Sequence, residues 1–160
     1  MTNRTRRTWI PLAGALAVCA LGVAFAVVPS AERPRPAPFA HDPACARVAG
    51  QLPHKMGKLG LHLPVTDGIA VWGDNSVVVR CGIPMPDKTS DPCVTVDGVD
   101  WVWRYRQNKE GRSLLVTYGR SPALELSLDR AAPSDTALTT LTRAASELPR
   151  QRKCLDSQGR

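Results

Sequence analysis

The chain contains no Cys-x-x-Cys pair, so the ligand spacing of a small zinc site is missing. It also lacks a Gly-x-Ser-x-Gly elbow and a Gly-rich phosphate loop, and no histidine follows His62. The sequence signatures of a serine hydrolase and of a nucleotide-phosphate site are therefore absent. The three histidines, His41, His54 and His62, sit at irregular spacing in segments that read as linker and loop. Surface histidines explain that placement better than a metal cage. No internal repeat is present. Of the formal charge of +7, Arg4, Arg6 and Arg7 supply three, and the cations that follow, among them Arg47, Lys55, Lys58, Arg80, Arg104, Arg112, Arg120 and Arg130, are scattered. Nothing resembles the basic stripe of a nucleic-acid binder, and no cofactor is implied.

What is present begins at the N-terminus. A basic cytoplasmic segment, residues 1–9, precedes the uncharged run Ile10 to Val28. A helix over 10–28 is just long enough to cross a bilayer core of about 30 Å. The preceding arginines orient it with the rest of the chain outside. The expectation is a single-pass signal-anchor in the cell membrane. The alternative is a signal peptide cleaved near Ala26, since Ala24-Phe25-Ala26 fits the small-x-small pattern. Leu16-Ala17-Val18-Cys19 resembles a lipobox, but Val18 stands where a small residue is needed. Residues 29–41 alternate Pro34, Pro36 and Pro38 and read as a semi-extended spacer. The extracytoplasmic domain is expected over 42–155, followed by a tail, 156–160.

Within the domain, Asp42-Pro43 is a helix start, with Cys45, Val48, Ala49 and Leu52 as one apolar stripe ended by Pro53. Residues 54–66 read as loop. Ile69 to Trp72 and Val77 to Cys81 read as strands joined by a Gly73–Ser76 turn, and Gly82 to Pro92 as a proline-rich loop. The most informative stretch is Cys93 to Leu128, three or four consecutive antiparallel strands. Asp97-Gly98 suits a type I′ hairpin and sets Val94 opposite Trp101 and Thr95 opposite Asp100. A four-residue return, Asn108 to Gly111, would then bring Leu114 to Tyr105, Val116 to Trp103 and Tyr118 to Trp101, leaving the large side chains on one face. Leu124, Leu126 and Leu128 continue that face, and Ser134 can cap a last helix carrying Leu138, Leu141, Ala145 and Leu148. The fold class expected is α+β: an antiparallel sheet of about five to six strands with two helices packed on one face, after an N-terminal transmembrane helix.

Cys19 falls in the membrane segment, which leaves Cys45, Cys81, Cys93 and Cys154, an even number suited to an oxidising compartment. Of three possible pairings, element order favours Cys81 with Cys93, closing the proline-rich loop, and Cys45 with Cys154, clamping the ends. A redox centre at Cys81-Gly82 and Cys93 is outweighed by a structural bridge.

The combination of an N-terminal membrane segment with Ala70–Gly73 (AVWG), Arg80–Gly82 (RCG), Gly98–Trp101 (GVDW) and Thr117–Glu125 (TYGRSPALE) resembles an uncharacterised actinobacterial family of small membrane-anchored proteins, a domain-of-unknown-function family. The resemblance spans about residues 40 to 155. It implies an envelope location and a shared fold, and it carries over no catalytic residue.

Candidate binding residues follow from local chemistry. Arg120, in Tyr118-Gly119-Arg120-Ser121-Pro122, is either a fork presented outward to an anion or partner, or one folded back onto Glu125 or Asp100. Arg120, Ser121, Asp100 and Glu125 are the binding candidates; no catalytic residue and no metal ligand is assigned. An acid/base pair among Asp91, Asp97, Asp100 and Glu125 needs distances that a sequence does not supply. Trp72, Trp101, Trp103 and Tyr105 are suited to stacking on sugar rings, but their shared face favours a core. Arg150, Arg152, Lys153 and Arg160 read as a solvated tail, with contact to anionic headgroups as the alternative.

The function expected is a non-enzymatic, membrane-tethered binding or assembly module that engages an envelope protein or a cell-wall component. The alternative is a small envelope hydrolase acting on wall or peptide. A structural role through helix packing at Ala13, Ala17, Ala20 and Ala24 is a third reading.

Overall fold

The structure, a computed structural model, describes residues 34–62, 65–107 and 111–155. The expected membrane helix at 10–28 and the tail 156–160 lie outside them. Among the described residues no helix is long and apolar enough to cross a membrane.

Helix α1 (Pro43–Gly50) starts as its sequence dictates: the Asp42 carboxylate accepts from the Ala44 amide at 2.8 Å, and Pro43 has no N–H to satisfy. The segment read as loop contains a two-stranded ribbon, β1 (Lys55–Met56) with β2 (Leu59–Gly60). Then come β3 (Ile69–Trp72), β4 (Val77–Ile83), β5 (Cys93–Val96), β6 (Val99–Trp103), β7 (Ser113–Thr117) and β8 (Ala123–Leu128). They form one antiparallel sheet in the order β3-β4-β8-β7-β6-β5. Helix α2 (Ser134–Ala145) closes the domain. Ser134 does not cap it: Pro133 takes the cap position, and its carbonyl accepts the Ala137 amide at 2.8 Å, so Ser134 becomes the first helical residue.

Both helices join one core with the inner sheet face, built on Trp72, Val79, Trp101 and Leu126 against Val48, Leu141 and Leu148. The two buried indoles have acceptors: Trp72 Nε1 donates to the Pro53 carbonyl at 2.9 Å and Trp101 Nε1 to Thr142 Oγ1 at 3.4 Å.

The β5-β6 hairpin has the expected register, with Asp97 and Gly98 both at positive φ. The β6-β7 register is one residue from the expected one: Trp101 faces Thr117, Val102 faces Val116 and Trp103 faces Leu115. Strand β6 ends at Trp103, and Tyr105–Gln107 coils into a 3-10 turn, so Tyr105 never enters the ladder. A slip of one residue reverses every side chain. Leu115 and Thr117 therefore face the helices, whereas Val116 and Tyr118 join Val102, Ile83 and Cys154 in a second small cluster. Trp103 and Tyr105, expected in the core, are each 43% exposed and meet edge to face at 6.3 Å.

The disulfides also differ from the expected pairs. Cys45 bridges Cys81 and Cys93 bridges Cys154. Two physical facts forbid a bridge from Cys81 to Cys93. Strands β4 and β5 are separated by β8, β7 and β6, about 19 Å at the usual strand spacing, whereas a disulfide needs its Cα atoms within about 7 Å. In addition, Cys81 belongs to the helix-facing core that contains Cys45, whereas Cys93 pairs with Val102 of the second cluster, which Cys154 joins.

The domain begins earlier than His41. Ala37 and Ala40 are buried, and the Phe39 amide donates to the Gly82 carbonyl at 2.9 Å, so part of the expected spacer packs on the sheet. Gly82, at φ 101°, permits this: a Cβ there would overlap the backbone of Phe39 and Ala40.

Non-reducing peptide mapping should recover Cys45 with Cys81 and Cys93 with Cys154. Replacing either pair by alanine should destabilise the domain by about 4 kcal/mol on the chain-entropy model. A peptide joining Cys81 to Cys93 would contradict the fold.

Candidate binding site on the open face of the sheet

Arg120 is only 6% exposed, so it is not an outward fork. Nor does it pair with Glu125 or Asp100 as a salt bridge. Its Nη1 donates to the Ser146 carbonyl at 3.2 Å and to the Leu148 carbonyl, groups left free as α2 ends. A cation there also suits the negative end of the helix. Burial holds the guanidinium below its ordinary pKa range, the charge of Arg150 adds to that, and Asp100 opposes it. Its Nε, also buried, has no hydrogen-bond partner.

The neighbouring candidates belong to the same internal clamp. The Ser121 amide donates to the Pro149 carbonyl at 3.1 Å, and the Gln151 amide to the Gly119 carbonyl at 2.6 Å. Asp100, 8% exposed, accepts from Thr95 Oγ1 at 2.6 Å and from the Cys154 amide at 2.8 Å. Arg120, Ser121 and Asp100 thus fasten the C-terminal strap 149–154 to the sheet. Gly119, at φ 68°, lets Arg152 pass where any Cβ would collide with it.

Glu125 lies elsewhere, on the sheet face away from the helices. Register sets Arg80 beside Glu125, and Glu125 beside Val116, on adjacent strands. Arg80 donates to Glu125 Oε1 from both Nε and Nη2, each at 2.7 Å, and from Nη1 to the Arg35 carbonyl at 3.1 Å. Next to this pair, Arg112 donates from Nε to Ser127 Oγ at 2.8 Å and from Nη2 to the Ser127 carbonyl at 3.1 Å. Arg106 stacks on the Tyr105 ring at 5.5 Å and donates from Nε to its hydroxyl at 3.0 Å. That hydrogen bond favours the charged form and raises the Arg106 pKa. Arg80, Arg106, Gln107, Arg112, Leu114 and Glu125 line, with Ser127, a cleft of about 580 Å³. Among the described residues, only Arg80 of these three arginines has a carboxylate within salt-bridge distance.

Two other concavities flank the sheet. One, of about 530 Å³, runs along the Cys93–Cys154 bridge between Lys88, Thr89, Arg152 and Lys153. The other, of about 270 Å³, lies between Val94 and Trp103 on one side and Leu138 on the other. Of the carboxylates at these two concavities, Asp91 pairs with Arg104 at 3.1 Å and Asp135 is exposed at the start of α2.

Sequence reasoning missed Arg80, Arg106 and Arg112 as a group because they are far apart along the chain. One signal was available. Arg80 alternates with the inward Val79 and Cys81, and Glu125 and Ser127 alternate with the inward leucines of β8.

Arg120→Ala should destabilise the fold by about 2 to 4 kcal/mol in urea unfolding, since it strands the Ser146 and Leu148 carbonyls that the guanidinium satisfies. Arg120→Met should recover only the packing part. Unchanged stability in both would remove the clamp.

No curated protein and no solved structure matches the chain. A family model described as a protein of unknown function, DUF3515, matches residues 10–153. With that match covering most of its length, the chain belongs to the DUF3515 family.

Proposed function

We propose that the chain is a membrane-tethered, extracytoplasmic binding module of the cell envelope. The observation that carries the binding reading is the arginine cleft: Arg80, Arg106 and Arg112 line one accessible concavity whose own carboxylate, Glu125, is tied to Arg80, while Asp91 is tied to Arg104 and Asp100 to Thr95 and the Cys154 amide. General acid/base chemistry needs a carboxylate or imidazole free to exchange a proton with a substrate. The arrangement favours holding an anion over hydrolysing a bond.

Two disulfides support the export reading, because such bridges persist in oxidising compartments and are rare where thiols are kept reduced. Export in turn fits Arg4, Arg6 and Arg7 ahead of the uncharged run 10–28. A partner that is an envelope protein or a wall component follows from that location; a nucleic acid does not.

The full-length chain should fractionate with membranes at its full mass, and protease added from outside should digest residues beyond Pro29 while sparing the first arginines. A mature N-terminus at Val27 in the medium would replace the anchor by a signal peptide. Turnover of purified wall fragments or peptides by the full chain, abolished by Glu125→Gln, would replace binding by hydrolysis.

A further inference from the structure

We propose that the cleft between Arg80, Arg106 and Arg112 is a binding site for a phosphate ester; this deepens the binding-module reading and rests on it. The charge balance points to an anion. Arg80 is offset by Glu125, whereas Arg106 and Arg112 are held by uncharged oxygens, those of Tyr105 and Ser127. Among the described residues, the cleft therefore carries two guanidinium charges that no carboxylate of its lining offsets.

Preorganisation strengthens the case. An exposed arginine ordinarily loses rotamer freedom when it grips a ligand, which offsets much of the attraction. Here Arg106 is already stacked on an aromatic ring, and Arg112 is already fastened by two hydrogen bonds to one serine. Arg112 uses Nε and Nη2 for that anchorage, which directs the Nη1 end of its fork to a ligand.

The number of forks selects the anion. A carboxylate has two oxygens, and a single guanidinium can satisfy it, as Arg80 shows by placing two N–H groups on one oxygen of Glu125. A phosphate ester presents three or more acceptor oxygens and can bridge two or three forks at once. A cleft of about 580 Å³ also exceeds what a lone ion needs and leaves room for the esterified group. Two sources of this chemistry exist outside a membrane, a soluble or polymeric phosphate ester and a phospholipid headgroup.

The test uses the full chain in uncharged detergent micelles and isothermal titration calorimetry. One arm adds sn-glycerol 3-phosphate; the other compares micelles doped with phosphatidylglycerol against undoped ones; succinate is the carboxylate control. Saturable binding in the first arm assigns a soluble ester, and binding in the doped micelles alone assigns the headgroup. In either case succinate should bind at least about tenfold more weakly, and Arg106→Gln with Arg112→Gln should weaken binding by about tenfold or more with an unchanged melting temperature. If Arg112→Gln unfolds the domain, the exposed Arg106→Gln alone should still weaken binding. Equal binding of succinate, no binding in either arm, or undiminished binding by the variants overturns the proposal. The binding-module reading is judged separately by crosslinking in intact cells: capture that survives both substitutions keeps that reading and removes this cleft.

Discussion

The buried guanidinium of Arg120 is the interaction on which the placement of the C-terminal third depends. A charge taken out of water is expensive unless its N–H groups are satisfied, and α2 ends with carbonyls that equally need donors. Each requirement answers the other through the contacts to Ser146 and Leu148. Once α2 ends there, residues 149–154 are delivered across Gly119, the Cys154 amide reaches Asp100, and the sulfur of Cys154 comes within bonding distance of Cys93.

The sheet between these straps is apolar on both sides, but unequally. Its inner face is covered by two helices and holds the large buried residues. Its outer face has a small apolar cluster at Val102 and Val116, beside a polar region where Arg80, Glu125 and Ser127 stand on neighbouring strands. Polar side chains on a sheet face need partners, and here they supply one another: Arg80 with Glu125, Arg112 with Ser127. Arg80 is held through all three nitrogens, whereas Arg112 is anchored through Nε and Nη2. A structural need of the outer face thus leaves cationic groups, already ordered, along an accessible cleft.

This division explains how far the chain was legible. The helix start at Asp42-Pro43, the Asp97-Gly98 hairpin, the leucine alternation of β8 and the α+β class were all readable, because each rests on residues within one element or one turn. The β6-β7 register was not. Leu114-Leu115-Val116 is apolar at every position, since both sheet faces bury side chains there, and a continuous apolar run has no period from which to choose a face. With the observed register, β6 ends at Trp103 and the chain leaves the ladder in the 3-10 turn Tyr105–Gln107.

By itself the sequence determined the two helices and the strands of the six-stranded sheet, though not the β1-β2 ribbon, and that four cysteines outside the apolar N-terminal run would be available to pair. Only the tertiary structure decided which cysteines pair, whether Arg120 points out or in, and that Arg80, Arg106 and Arg112 share one cleft. The reason is strand order. Joining β4 to β8 carries Arg80 and Cys81 across the sheet from β5, and that long-range pairing is set by the summed burial of the whole core, not by any residue near those positions.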